Sequence, residues 1–211
     1  FGKTQFYGME LLIDKRALIP RQETEQLVKI AIEFLENSNV NQIQIMDIGT
    51  GSGCLAIAIA YHFQKSEKKC IIDAIDDSSE ALELAKENAQ KYNINNIEFH
   101  LLDILQTNIS LEKYNCIVSN PPYIPFKNYK TLDRQIRDYE PQSSLTDYAD
   151  GLTFYKKYKE LIETMQTGAM MALEIDGSNT NDLLEIFIDS NCKIEIFKDL
   201  AGIDRILTLK K

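Results

Sequence analysis

The segment "IQIMDIGTGSGCLAIAIAYHF", residues 43–63, joins two apolar runs through a loop with three glycines at alternate positions. The first run is short and favours a buried β-strand, whereas the second is long enough for an α-helix. Glycines let the backbone turn sharply and leave no Cβ between it and a ligand. Ligands of open α/β sheets bind at the carboxyl ends of strands, so this segment predicts a parallel strand and a binding loop.

The same alternation continues on both sides of this segment. Further strands are predicted at "CIIDAID", "NIEFHLLD", "YNCIVSN" and "GAMMALEI", and helical patterns cover residues 151–165 and 178–189. The tail "CKIEIFKDLAGIDRILTLKK" is typical of a hairpin. We therefore expect a mostly parallel seven-stranded sheet with helices on both faces and one antiparallel strand in a terminal hairpin.

Two helices have a clear apolar stripe in the sequence. "SSEALELAKENAQKY" is predicted to bury one side of a helix after the second strand, and "PRQETEQLVKIAIEFLEN" forms a helix before the first. From residue 121 to residue 150 regularity disappears, which is typical of a functional or mobile connection. The predicted buried residues are Ala81, Ala85, Ala89 and Tyr92 in the former helix, and Leu27, Ile30, Ala31, Phe34 and Leu35 in the latter.

Composition excludes several classes of protein. The 211 residues are 44% hydrophobic and 26% charged, with a net charge of −9, which favours one globular domain rather than a disordered chain. No apolar run reaches the roughly 18 residues that a membrane span needs. An acidic chain is a poor nucleic-acid binder, although basic residues at 127–137 could form a local patch. We expect no membrane association and no direct nucleic-acid binding.

Neither the cysteines nor the histidines indicate a metal site. The four cysteines are far apart and form no CxxC pair, so reduced, buried thiols in a cytoplasmic protein are expected. His62 is predicted on a helix and His100 on a strand, each without a second ligand at useful spacing. The amino terminus lacks the basic and apolar regions of a secretory signal and has no initiator methionine, which suggests a fragment or a processed form.

Acidic residues follow the second and third predicted strands. Asp76 can accept hydrogen bonds from both hydroxyls of a ribose, and Asp103 can reach an adenine amino group with Ile104 against the ring. The alternatives are an acid at a helix start near Ser78, a task for which Asp77 is better placed, and a simple strand-end turn at Asp103.

The glycine loop alone leaves two nucleotide sites open. Gly51, Gly53 and Ala56 satisfy a permissive form of the dinucleotide fingerprint, so a nicotinamide site is a rival to any other cofactor. In either case Asp47 is expected to orient the loop by accepting backbone N–H bonds.

The stretch "SNPPY" places unusual chemistry at the same sheet edge. The amide of Asn120 and the carbonyl of Pro121 display two acceptors, and the consecutive prolines hold the backbone rigid. Tyr123 offers a ring face to a flat group. Prolines are also ordinary turn formers, but this combination after an apolar strand indicates a site for a planar NH₂ group.

A planar NH₂ group is a weak nucleophile because its lone pair is delocalised. Two acceptors that take hydrogen bonds from its N–H groups can hold the nitrogen against an electrophile. This is catalysis by positioning and electrostatics. The methyl group of a sulfonium, carried by S-adenosylmethionine, is the expected electrophile. This interpretation needs no helix N-terminus aimed at a pyrophosphate, so methyl transfer is favoured over hydride transfer.

The whole chain resembles the peptide-chain-release-factor glutamine N5-methyltransferases, which have a Rossmann-like class I methyltransferase fold. "NPPY" is shared with enzymes that methylate adenine or ribosomal RNA guanine, whereas related ribosomal-protein glutamine methyltransferases differ after the arginine of "LIPRQETEQLV". The matching stretches are "FYGMELLIDKRALIPRQETEQLV", "DIGTGSG", "AIDDSSEALELAKENA", "VSNPPYIP", "YEPQSSL", "DGLTFYKK", "LEI" and "KDLAGIDRIL".

The resemblance implies S-adenosylmethionine as cofactor and the glutamine of the Gly-Gly-Gln motif in class 1 release factors as substrate. Catalysis would fall to Asn120, Pro121 and Tyr123, and these residues with Pro122, Arg21 and Glu23 would bind the substrate. Thr24 is placed at the mouth of the site, with helix capping as the alternative. The implied cofactor residues are Gly49, Thr50, Gly51, Ser52, Gly53, Asp76, Asp103, Ile104 and Asn120.

Two departures from the family pattern accompany this resemblance. Ile104 stands where the family often has a large aromatic residue, and Gln22 stands where proline is usual. We expect a pre-sheet segment at 1–38 and a catalytic domain at 39–211, without the family's amino-terminal helical domain. Alternatives are a nucleic-acid amino-methyltransferase, a ribosomal-protein glutamine methyltransferase, and a catalytically silent cofactor-binding module.

Overall fold

The computed structural model describes residues 2–211, which form nine strands and seven α-helices. The strands are β1 (Lys3–Phe6), β2 (Met9–Leu12), β3 (Gln42–Ile48), β4 (Lys69–Asp76), β5 (Ile97–Leu101), β6 (Cys116–Ser119), β7 (Met170–Glu174), β8 (Lys193–Lys198) and β9 (Asp204–Lys210). The helices are α1 (Glu25–Glu36), α2 (Cys54–Phe63), α3 (Ser79–Lys91), α4 (Phe126–Tyr129), α5 (Arg134–Tyr139), α6 (Thr153–Ile162) and α7 (Thr180–Phe187).

Seven strands form one sheet in the order β5-β4-β3-β6-β7-β9-β8. The pairs from β5 to β7 are all parallel, and β9 lies antiparallel to both β7 and β8. Only β9 therefore runs against the rest of the sheet. The predicted fold class, a mostly parallel sheet with a carboxyl-terminal antiparallel hairpin, is confirmed.

The two faces of the sheet carry separate hydrophobic cores. Ile45 and Ile72 pack with α1 and α2 on one face, whereas Met46 and Ile117 pack with α6 and α7 on the other. Neighbouring strand residues point to opposite faces, and the central strands β6 and β7 are buried along their whole length. Because both faces are covered, these strands appear as continuous apolar runs in the sequence.

The amino-terminal segment folds differently from the prediction. β1 and β2 form an antiparallel hairpin through Tyr7 and Gly8, which both have positive φ, as a two-residue turn of this kind requires. This hairpin was not predicted from the sequence, because four-residue strands carry too little alternation. Phe6 and Leu11 are buried in the same core as α1 and the sheet, so this segment is an integral part of the fold.

Three details of the helices also differ from the prediction. α1 buries Val28 and Ile32, whereas Ile30 and Phe34 are only partly buried against the edge of the core, so the stripe is rotated towards the sheet. Tyr92, expected in the buried stripe of α3, follows the last residue of that helix and is half-buried. The region expected to be irregular, 121–150, contains the short helices α4 and α5.

Candidate active site

The glycine loop is fastened to the end of the neighbouring strand by backbone hydrogen bonds. The amides of Gly49 and Thr50 donate to the carbonyl of Ile75 at 2.9 and 3.0 Å. Gly49 and Gly51 have φ of 72° and 56°, a left-handed region that favours glycine. A Cβ on Gly49 would meet nothing within 4 Å because that position faces the open pocket. A ligand can therefore approach the bare backbone there.

Gly53, which was predicted to contact the cofactor, does not line the pocket. Its φ is 81°, and a Cβ at this position would lie 3.1 Å from the Cβ of Ala85 and 2.8 Å from Cδ1 of Ile57. The residue thus permits the close approach of α2 and α3. Gly49, Thr50, Gly51 and Ser52 do line the pocket, so the structure separates a ligand-facing part of the loop from a packing glycine.

Asp47 supports the loop from beneath. Its Oδ2 accepts hydrogen bonds from the Thr50 hydroxyl at 2.7 Å and from the Ala56 amide at 3.3 Å. The carboxyl group is completely buried, and this burial raises its pKa to about 7. Asp47 therefore holds the loop through the Thr50 side chain and holds α2 through a backbone amide, whereas the sequence predicted that it would accept backbone N–H bonds of the loop.

Asp76 lies at the end of β4 and lines the pocket in contact with the loop. Its Oδ2 accepts the Gly51 amide at 2.8 Å and its Oδ1 accepts the Ser78 amide at 2.9 Å. Burial raises the pKa of this carboxyl group. Each oxygen has capacity for another hydrogen bond, which fits a ribose diol. The capping residue of α3 is Ser78, whose side chain accepts the Ala81 amide, so neither Asp76 nor Asp77 caps this helix.

Asp103 and Ile104 form the side of the pocket below β5. Ile104 is 5% exposed and, with Leu102, supplies an apolar wall suited to a flat ring. The Oδ1 of Asp103 accepts the Leu105 amide at 2.8 Å, so the strand-end turn expected as the alternative is also present. Both residues line the pocket, and the turn places the Asp103 carboxylate beside Ile104.

A buried serine brings the proline motif next to the glycine loop. Ser119, the last residue of β6, donates its hydroxyl to the carbonyl of Ile48 at 2.7 Å and lies 2.8 Å from the Tyr158 hydroxyl. This contact joins the ends of β3 and β6. Asn120, Pro121 and Pro122 consequently line the same pocket as the glycine loop.

Tyr123 and Asn120 belong to a buried network at the carboxyl end of β7. The Tyr123 hydroxyl lies 3.3 Å from Oε1 of Glu174, and Oε2 of Glu174 accepts the Thr24 hydroxyl at 2.6 Å. Nδ2 of Asn120 lies 3.4 Å from the same Thr24 oxygen. Burial raises the pKa of Tyr123. Tyr123 does not line the cofactor pocket itself, so it contributes to the network behind the proline motif.

Two predicted substrate residues take other positions. Arg21 donates to the buried carboxylate of Glu140 at 2.5 Å, and the Ile19 amide donates to the same carboxylate at 3.2 Å. These two hydrogen bonds connect the segment before α1 to the segment after α5. Glu23 is exposed and does not line the pocket. None of Arg21, Glu23 and Glu140 lines the pocket, and we call these three residues the outer rim.

The structure also brings in pocket residues that the sequence analysis did not assign a role. Pro141, Ser143 and Ser144 come from "YEPQSSL", and Phe154 and Tyr158 come from α6. The only sequence signal for the first three was the family resemblance, since they occupy a region without periodicity. Leu18 and Pro20 approach from the segment before the sheet, together with Thr24, which was expected at the mouth of the site.

His100 is not isolated, contrary to the sequence interpretation. Its Nε2 lies 3.1 Å from Oδ1 of Asp73, with Glu98 at 4.0 Å, and these three are the one group of potential metal ligands in residues 2–211. Lys113 and Tyr114 both contact Oδ2 of Asp73 at 2.6 Å. The Asp73 carboxylate is thus already paired with a cation.

The cysteines, His62 and the length of the helices were also subjects of sequence-based expectations. All four cysteines are free, and burial raises the pKa of Cys54 and Cys70 to about 12. His62 lies 2.8 Å from Glu36 on the surface. Within the described residues, no helix combines the length and apolar character that crossing a membrane requires.

Comparison with known proteins identifies the type of domain. A protein-family model described as a methyltransferase domain matches residues 39–187. Among solved structures, a methyltransferase from Pyrococcus furiosus aligns with a TM-score of 0.64 and 18% identity, covering 96% of this chain and 88% of that one. A ribosomal protein L11 methylase from Lactobacillus delbrueckii aligns with a TM-score of 0.60 and 21% identity, covering 90% and 80%. These structures show the fold.

Sequence relatives are more specific. A release factor glutamine methyltransferase from Fusobacterium nucleatum is 38% identical, matching 100% of this chain and 58% of that protein. The protein of the same name from Bacillus subtilis is 36% identical, matching 98% of this chain and 72% of the relative. The chain therefore spans between about half and three quarters of the length of these relatives.

Proposed function

The chain belongs to the release factor glutamine methyltransferase family, and on that premise we propose that it methylates a glutamine side chain of a release factor. The methyl donor is S-adenosylmethionine, and the acceptor is the amide nitrogen of the glutamine in the Gly-Gly-Gln motif of class 1 release factors. One observation carries the proposal: Asn120, Pro121 and Pro122 line the same pocket as the glycine loop.

The pocket fits S-adenosylmethionine. The exposed backbone at Gly49 and Gly51 accommodates the methionine end, and the free acceptor capacity of Asp76 suits the ribose hydroxyls. Ile104 with the Asp103 carboxylate supplies an apolar wall and an acceptor for adenine. When bound, the cofactor supplies an electrophilic methyl carbon attached to a positively charged sulfur.

The residues of the chain then position the acceptor. The side-chain oxygen of Asn120 and the carbonyl oxygen of Pro121 accept the two N–H bonds of the glutamine amide, and Tyr123 packs beside it. The bound cofactor would supply the methyl group to this nitrogen and keep the electron pair of the carbon–sulfur bond, and the methylated amide would release one proton to water. Two fixed dipoles that stabilise the developing positive charge on nitrogen lower the barrier without a strong general base.

Three further points belong to this proposal. The start of the family match at residue 39 supports a division into a pre-sheet segment, 1–38, and a catalytic domain, 39–211. Arg21 and Glu23 would contact the release factor outside the cofactor pocket. The protein would act in the cytoplasm, where release factors work, without binding nucleic acid directly.

Mass spectrometry tests the proposed function. Purified class 1 release factors are incubated with the protein and S-adenosylmethionine, digested and sequenced. The expected result is a gain of one methyl group on the Gly-Gly-Gln glutamine, with no label on RNA or DNA offered in parallel. Methylation of nucleic acid with an unmodified release factor would replace the proposal by the amino-methyltransferase alternative, and no transfer to any acceptor would favour the silent cofactor-binding module.

A further inference from the structure

The amide group of Asn120 has two possible orientations, and only one of them suits methyl transfer. An asparagine carries an acceptor oxygen and a donor NH₂ on one planar group, and the hydrogen-bond partners decide which side each occupies. If the NH₂ side faced the pocket, it would oppose the NH₂ group of the acceptor. Some other part of the structure must therefore hold the oxygen towards the pocket.

The partner of Asn120 on the buried side is Thr24. The Thr24 side chain is 1% exposed, and its Oγ1 lies 2.6 Å from Oε2 of Glu174 and 3.4 Å from Nδ2 of Asn120. Against an ionised carboxylate, the single hydroxyl proton of Thr24 must point to Glu174. The Thr24 oxygen can then only accept from Asn120, which requires the NH₂ side of the amide to face inward.

Glu174 is placed to perform this task and is not used elsewhere in the proposed chemistry. It is 1% exposed at the end of β7, and its other oxygen, Oε1, lies 3.3 Å from the Tyr123 hydroxyl. The two oxygens thus hold Thr24, which leads to Asn120, and Tyr123 of the same proline motif. A buried carboxylate with two hydroxyl partners gives the network a defined hydrogen-bond direction.

We propose that Glu174, acting through Thr24, is a positioning residue that fixes the amide of Asn120 with its oxygen towards the acceptor nitrogen. The effect on rate rests on the proposed function, whereas the orientation itself does not. A neutral group at position 174 could donate to Thr24, whose proton would then be free to point at Asn120. The amide would rotate and present its NH₂ group to the pocket.

The surroundings of Glu174 bear on its protonation. Desolvation raises its pKa, while Thr24, Tyr123 and Arg205 on β9 favour the ionised form. Glu23 near the start of α1 and Asp176 after β7 are the other charged groups near this network. Because the pKa is raised, the orienting form of Glu174 is lost on the acid side at a higher pH than for an ordinary glutamate.

Kinetics of matched variants test this role. Glu174→Gln and Thr24→Val should each lower kcat about 10- to 100-fold, the usual effect of losing an outer partner of a reacting group. The KM for S-adenosylmethionine should stay within about twofold, because Glu174 does not line the pocket and valine keeps the shape of Thr24 at the pocket wall. Thr24→Ser restores the hydroxyl and should recover most of the rate. Wild-type kcat in Glu174→Gln or in Thr24→Val would overturn the proposal.

An activity-independent readout separates this inference from the proposed function. The side-chain ¹⁵N–¹H₂ signals of Asn120, assigned by their absence in Asn120→Asp, should shift as the pH is lowered and Glu174 takes up a proton. In Glu174→Gln the same signals should not titrate. The inference would be overturned, even if the release factor is methylated, by chemical shifts that do not change with pH in the wild type. Shifts that titrate equally in Glu174→Gln would overturn it as well.

The same spectra decide the inference if no methylation is detected. A titrating Asn120 signal would then support the orientation while the proposed function fails. Thermal unfolding shows whether each variant folds, and if Glu174→Gln does not, the Thr24→Val and Thr24→Ser pair carries both tests.

Discussion

The two sides of the pocket are held by different kinds of contact. On the glycine-loop side, the amides of Gly49 and Thr50 donate to the backbone carbonyl of Ile75 at the end of the adjacent strand, and one side chain of that strand, Asp76, accepts the Gly51 amide. On the acceptor side, the proline motif depends on side chains from distant parts of the chain, namely Thr24, Tyr158 and Glu174.

Because the contacts differ, the two sides of the pocket should tolerate different kinds of substitution. Backbone hydrogen bonds between neighbouring strands form whatever the surface side chains are, provided that glycine permits the turn. A network of side chains fails when one member is lost, because the remaining buried polar groups are left without partners. The cofactor side should therefore be sensitive to added volume, and the acceptor side to lost hydrogen-bonding groups.

The largest expected effect comes from removing the acceptor group at Asn120. Asn120→Ala should lower the rate of methyl transfer by about 10²–10³, the usual loss for one preorganised group at a reacting centre. Binding of S-adenosylhomocysteine, measured by calorimetry, should weaken by no more than about threefold, because the glycine loop is untouched. A near-wild-type rate would contradict the proposed mechanism.

Added volume in the glycine loop should damage the fold rather than the chemistry. Gly53→Ala should lower the free energy of unfolding by about 2–5 kcal/mol, since left-handed φ costs a Cβ about 1–2 kcal/mol and overpacking adds about 1–3 kcal/mol. Gly168→Ala is the control, because its φ is 86° and a Cβ there would meet nothing within 4 Å. Chemical denaturation should show a clearly smaller loss for the control.

The rim contact between Arg21 and Glu140 should have an intermediate effect. The Glu140 side chain is 3% exposed and that of Arg21 is 35% exposed. Arg21→Ala leaves a buried carboxylate with one remaining amide partner, which should cost about 1–3 kcal/mol. The rate of backbone amide hydrogen exchange in residues 134–144 should increase in the same variant.

Two further variants sharpen the test of the rim. Adding Glu140→Ala to Arg21→Ala should recover part of the stability, since it removes the unpaired charge. The Arg134–Asp138 pair in α5 is exposed, with the arginine side chain 86% exposed, so Arg134→Ala should cost no more than about 1 kcal/mol. Equal losses in Arg21→Ala and Arg134→Ala would show that the rim contact adds nothing.

The smallest effect is the pH dependence contributed by Asp47. Its pKa of about 7 in the folded protein exceeds the unfolded value of about 4. The stability it contributes is therefore present below the unfolded pKa and is lost as the pH rises through about 7.

Asp47→Asn removes this pH dependence. The melting temperature of the variant relative to the wild type should rise by about 2–4 °C between about pH 6.5 and about pH 8.5, which corresponds to about 1 kcal/mol in a chain of this size. Glu174 titrates in both proteins and cancels in the difference, whereas Asp76 interacts with the Asp47 charge and belongs to the same pH dependence. A difference that is constant with pH would show that Asp47 is already ionised at the lower pH.

The sequence by itself determined the class of the sheet, mostly parallel with an antiparallel terminal hairpin, and the position of both motifs at one edge. The two-residue periodicity and the short apolar runs are local properties, and parallel strands bring their carboxyl ends to one edge whatever lies between them. The glycine loop, Asp76 and the proline motif could therefore be assigned to one edge from local patterns alone. Short elements with little periodicity, β1, β2, α4 and α5, could not.

Only the tertiary structure decided which side chains meet across that edge. Gly53 turned out to face Ala85 because α2 and α3 approach there, and Arg21 turned out to pair with Glu140 across the rim. Such contacts join residues more than a hundred positions apart or depend on how helices pack. They depend on how several helices and strands pack together around one core, and this packing cannot be predicted from local sequence patterns.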